Sequence, residues 1–143
     1  MTASNMEAGG VVLDCGAANH MTSHEEWFMN MRKPKRRAVV ETGGDSTHTT
    51  EHIGDVPFNN NGDNSYITDV LHVPTIMKNL VSVGQIVEQG MTVQISLDGC
   101  FIEDKGRIVV RGRRESRMLT LDTSEVSTML YAKGLKHESD IEL

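Results

Sequence analysis

Val11-Val12-Leu13-Asp14-Cys15-Gly16-Ala17 is the stretch that decides how the rest of the chain is read. Two β-branched residues and a leucine make an apolar run too short for a helix and suited to a buried strand. The run stops at a carboxylate, and the small residues after it suit a tight loop. A carboxylate in that place is held by its backbone and partly removed from water. Two of them facing each other share one proton, because two charges that close cannot both ionise. The pair titrates as a unit. It can activate a water for attack on a peptide carbonyl and protonate the departing amine. Strand, Asp, small residue and Gly also describe many ordinary strand ends, so the surrounding chain has to decide.

Upstream, residues 1–10 are polar and contain two adjacent glycines, which predicts a flexible lead. Downstream, residues 20–31 carry Trp27, Phe28 and Met31 and predict a short helix or an irregular packed segment. Residues 32–37 form a basic turn. Residues 38–41 and 47–51 are arms of a hairpin whose tip is Thr42-Gly43-Gly44-Asp45-Ser46. A strand is predicted over 53–58, an Asn-rich turn over 59–64, and a strand over 66–73 stopped by Pro74. Asn79-Leu80-Val81 is a second short buried run. Ser82 is placed to cap a helix over 83–89, with Gly90 as its stop. A strand over 91–97 turns at Asp98-Gly99 into Cys100-Phe101-Ile102, and a last hairpin joins 107–111 to 117–121 around Gly112-Arg113-Arg114. From about Ser124 the sequence is polar and weakly patterned. Short strands with one helix predict an all-β domain.

Composition narrows the function. A chain of 143 residues makes one domain the first expectation. Aromatic residues are 4%, so the core must rest on Val, Ile, Leu and the nine Met. A net charge of −6 argues against a mainly electrostatic nucleic-acid binder. Two cysteines, Cys15 and Cys100, make no disulfide framework and suggest a reducing compartment. The N-terminus has no apolar run of the kind a signal peptide needs, and no stretch is long and apolar enough to predict a membrane span.

Three motifs then add up. Leu13-Asp14-Cys15-Gly16-Ala17-Ala18-Asn19-His20-Met21, Asp69-Val70-Leu71-His72-Val73-Pro74 and Asn79-Leu80-Val81-Ser82-Val83 together resemble the protease of Ty1/copia-type retrotransposon polyproteins. Ile53-Gly54 and the Gly-containing hairpin between the motifs fit the same pattern. Asn79 to Val93 is also similar to the retroviral protease segment that runs from a short apolar stretch through a helix to a strand. The resemblance covers about residues 11–121. It implies a retropepsin-like closed β-barrel with one lobe per chain. One Asp-x-Gly element in a chain of this length then implies a C2 homodimer with Asp14 and its symmetry mate on the axis. Asp14 would be catalytic, and Cys15, Gly16 and Ala17 would form the active-site loop. Thr42, Gly43, Gly44, Asp45 and Ser46 would be the flap over an extended peptide. Asn79, Leu80, Val81 and Ser82 would support the loop from below. The implied substrate is a Gag-Pol polyprotein, with no cofactor, no metal and no membrane partner. The implied location is the cytoplasm, within a virus-like particle, with the nucleus as a second compartment. Residues 122–143 would be a tail leading toward a pre-integrase segment.

One position departs from the pattern. Cys15 stands where the family has a hydroxyl residue that braces the dimer, and a thiol is a weaker donor. This favours a looser dimer or an altered active-site geometry, and it motivates an alternative: an inactive, retrotransposon-derived interaction module that keeps the protease fold. Other features have plainer readings. His20 and His24, and His48 and His52, have a spacing that binds zinc on helices, but surface or packed histidines suit this chain better. A Cys15–His20 nucleophilic pair is a minor alternative. Residues 32–37 are read as a solvated turn rather than a nucleic-acid or nuclear-import signal. Asp69 lacks a following Gly and is read as an exposed strand residue. Cys100 is read as a buried apolar side chain.

Overall fold

The computed structural model describes residues 10–36, 39–42, 46–60 and 63–122. The lead over 1–9, the flap tip at Gly43, Gly44 and Asp45, and the tail over 123–143 lie outside the described residues.

Strands dominate. β1 (Val11–Asp14) runs into the loop, and β2 (Met21–Thr22), a 3-10 turn (Glu25–Trp27) and β3 (Met29–Arg32) occupy the segment read as helix or irregular. β4 (Val39–Thr42) and β5 (Ser46–Thr49) are the predicted hairpin, followed by β6 (His52–Asn60) and β7 (Asp63–His72). β8 (Asn79–Ser82) leads into the helix α1 (Val83–Glu88), and β9 (Thr92–Ser96), β10 (Gly99–Asp104), β11 (Arg107–Glu115) and β12 (Met118–Leu121) complete the chain. Ten strands form one sheet in the order β3-β6-β7-β2-β8-β1-β12-β11-β10-β9, while β4 and β5 pair only with each other.

The all-β class with one short helix is therefore the observed one, but the closed barrel is corrected. Among the described residues β3 and β9 are open edges of the large sheet. The sheet folds over itself instead, so that Val56, Phe58 and Ile67 of β6 and β7 share one core with Val109 and Val110 of β11. Bulges give the curvature. The β6–β7 register shifts between Gly54 and Val56, and the β10–β11 register shifts between Ile102 and Glu103. An extra residue on one strand bends it and raises its twist. Faces then meet through side chains rather than through a closing ladder.

The C-terminal hairpins differ in detail from the sequence reading. Ser96 pairs with Gly99, so the first turn is Leu97-Asp98 and Gly99 opens β10. At φ +152°, a side chain on Gly99 would strike the Gly112 carbonyl oxygen at 2.5 Å. Lys105 and Gly106, both at positive φ, make a two-residue turn that suits the twist of β10 and β11. Gly112 is not a turn residue but mid-strand in β11, where a Cβ would lie 2.6 Å from the Thr120 carbonyl oxygen and 2.9 Å from Cys100 Sγ. The last turn is at Ser116-Arg117.

Candidate active site

β1 and β8 are the root of the site. They run parallel and in register, with Leu13 opposite Val81 and Asp14 opposite Ser82. Leu13 and Val81 are buried because both belong to the main core, and strand alternation leaves Asp14 half-buried at the top of β1. The Asp14 Oδ1 oxygen accepts a hydrogen bond from the Gly16 backbone N–H at 2.8 Å. The loop therefore turns back over its own carboxylate through an exposed bond.

Ser82 ties this loop to α1. Its hydroxyl donates to the Ala17 carbonyl at 2.7 Å and accepts from the Gln85 N–H at 3.0 Å. The second bond is the N-cap predicted from the sequence, and it satisfies one of the donors that a helix start leaves open. Asn79 anchors the other end of β8. Its side chain accepts from the Thr22 hydroxyl at 2.6 Å and donates to the Gly10 carbonyl at 2.9 Å.

His20 is a packed histidine, as the plainer reading allowed, and its bonding is what the sequence did not reveal. It is fully buried. Its backbone N–H donates to Gln85 Oε1 at 2.8 Å, and its carbonyl accepts from the Leu71 N–H at 2.9 Å. Its Nδ1 accepts from the Ser82 N–H at 2.9 Å, and its Nε2 lies 3.2 Å from Gln89 Oε1. The Gln89 amide donates its own Nε2 to the Thr68 carbonyl, which fixes the orientation of the side chain. His20 is thus the neutral tautomer protonated at Nε2. Burial holds its pKa below the usual histidine value, opposed by the Gln89 bond and by the field of Asp69. With both ring nitrogens engaged, His20 is no base for Cys15, whose side chain is exposed. His20 and Met21 stand in the quoted motif, but only the hydrogen bonds made in three dimensions separate a latch from an ordinary packed histidine.

The other expected residues fall as follows. Asn79, Leu80, Val81 and Ser82 form β8 and pair in register with Val11 to Asp14, and of the four Ser82 bonds the loop at Ala17. Thr42 and Ser46 pair at the described end of the β4–β5 hairpin. Asp69 is exposed, sits at φ +58° in the β6–β7 bulge and pairs with Arg32. His24 stacks on Trp27, and His52 pairs with His72 across the β6–β7 ladder rather than with His48. Among the described residues no group of three or more His, Cys, Asp or Glu side chains could hold a metal ion.

Residues 11–91, more than half of the chain, match the family model described as "Pol polyprotein, beta-barrel domain". No solved structure matches the chain.

Proposed function

The chain belongs to the Pol polyprotein beta-barrel domain family, and from that premise we propose that it is the aspartic endopeptidase of a Ty1/copia-type retroelement polyprotein, acting as a homodimer. The observation that carries the reading is the setting of Asp14: a carboxylate at the end of a buried strand, turned back on the Gly16 N–H, on a loop latched to β8 and α1. Catalysis of this kind needs a carboxylate that stays put while the water it activates attacks the peptide carbonyl, and support of the loop from β8 serves that.

In the proposed dimer, Asp14 and the partner's Asp14 share one proton. The ionised member takes a proton from the water as its oxygen attacks the scissile carbonyl. The protonated member serves the departing amine. The β4–β5 hairpin covers the peptide and excludes bulk water. The substrate is the polyprotein itself.

The test is cleavage of a longer precursor, extended at both ends of this chain, from about pH 4 to 7. Wild type is expected to cut it, and Asp14→Asn is expected to fold, to dimerise and to cut nothing. Exposed Cys15, next to Asp14, favours a second reading in which the fold survives as an inactive interaction module. A folded wild-type dimer that leaves every junction intact would establish that reading in place of the first.

A further inference from the structure

The basic run at residues 32–37 has no role in the site so far, yet the fold brings part of it beside the catalytic loop. A groove of about 740 Å³ opens between them. Its lining includes Ala18 and Asn19, the two residues that follow the Asp14–Ala17 loop, and Arg32, Lys33 and Lys35. Ile53 and Leu71 supply apolar surface, and Asp69 and Glu88 also face it.

The charges in this groove are not all available. Arg32 is committed to Asp69 and lies 3.8 Å from Asp55. Lys33 and Lys35 make no ion pair among the described residues, and both are exposed. Glu88 opposes them, while Asp69 is engaged by Arg32. Two ammonium groups with no ion pair among the described residues thus line the groove together with the apolar Ile53 and Leu71. An extended peptide offers the complementary surface: alternate side chains point to opposite faces, one face apolar and one acidic.

We propose that this groove is an outer substrate subsite, and that Lys33 and Lys35 select polypeptides with acidic side chains flanking the bond to be cut. The proposal rests on the endopeptidase reading, since it takes Ala18 and Asn19 as the continuation of the cleft beyond Asp14. Lys33 and Lys35 are specificity residues. They touch no reacting atom, and rim charges of this kind act through complementarity and salt-dependent encounter.

The test measures binding in the Asp14→Asn background, so that cleavage cannot confuse it. The probes are three fluorescein-labelled peptides, Gly-Thr-Val-Glu-Thr-Glu-Val-Thr-Gly and its analogues with Gln or Lys at both Glu positions. Anisotropy at low salt is expected to show the Glu peptide binding about fivefold tighter than the Gln peptide, a preference that fades at about 0.5 M salt. In Lys33→Glu/Lys35→Glu the order is expected to invert, with the Lys peptide bound best. Equal binding of all three peptides would overturn the proposal, and so would a Glu preference that survives the double substitution. A single-stranded RNA oligonucleotide that outcompetes the Glu peptide, and loses affinity with the same substitutions, would assign the turn to nucleic acid instead. Cleavage without acidic preference would sink the subsite and leave the protease. Acidic preference without cleavage would sink the protease and leave a peptide groove.

Discussion

The loop root and the β4–β5 hairpin, the proposed flap, are held in opposite ways. The root is fixed by buried and part-buried side-chain bonds between residues far apart in sequence: His20 to Ser82, Gln85 and Gln89, Ser82 to Ala17, and Thr22 to Asn79. The hairpin is a separate two-stranded sheet whose ladder closes on itself, from Val39–Thr49 to Thr42–Ser46. Its tie to the body is light. Val40 packs on the small cluster of Met21, Leu71, Val73 and Ile76, His48 bonds Thr75 at 2.7 Å in an exposed position, and Val39 is open to solvent. Buried bonds are expensive to leave unmade, whereas exposed ones exchange with water at little cost. The carboxylate thus stands on the more firmly bonded part of the molecule, and the hairpin proposed as its cover can shift as a unit without breaking another ladder.

The largest effect expected from this difference is at His20. His20→Leu keeps an apolar side chain in the space but removes the acceptor of the buried Ser82 N–H and the partner of Gln89. An unpaired buried donor costs ~1–3 kcal/mol, so a total loss of about 3 kcal/mol is expected in urea unfolding. A loss below about 1 kcal/mol, the typical net worth of one ordinary hydrogen bond, would mean that the root is no stiffer than the hairpin.

The same latch gives the comparison a pH axis. Burial depresses the folded-state pKa of His20, and that of His72 in the same direction. Below pH 6.5 the unfolded chain takes up protons that the folded His20 refuses, so stability falls as pH drops from 6.5 toward the folded value, and it is complete above 6.5. Protonation at Nδ1 would also break the Ser82 bond. The stability deficit of His20→Leu relative to wild type is therefore expected to shrink as melting is followed from pH 8 down to 5. A deficit that stays constant over this range would show that His20 titrates like a solvent-exposed histidine.

The contrast between the two regions also explains what could be read in the sequence. Val11–Asp14, the Ser82 cap and the two arms of the hairpin are local: apolar runs, a helix start and a glycine-rich turn act over a few residues. The His20 latch joins residues more than sixty apart, and nothing in the local pattern separates it from an idle histidine. Gly112 misled in the other direction. A glycine between arginines reads as a turn, but here it serves close packing on Thr120 and Cys100, while the true turn uses Ser116 at φ +60° without any glycine. The open edges at β3 and β9 were hidden for a related reason, because whether the first and last strands of a sheet pair depends on segments far apart in sequence.

The smallest effect is expected where the hairpin touches the body. His48→Ala removes the exposed bond to Thr75, and substitutions of this kind usually change stability by within about 0.5 kcal/mol. Global unfolding is therefore expected to be nearly unchanged. Backbone hydrogen exchange in β4 and β5 should nonetheless accelerate, while exchange in β1 and β8 stays as it was, because local opening of the hairpin does not pass through the buried root. Equal acceleration in both regions would join them into one cooperative unit and remove the mechanical division between carboxylate and cover. Acceleration confined to β4 and β5 would locate the moving part of the cleft, and a His48→Ala effect on cleavage would then report cover closure rather than chemistry at Asp14.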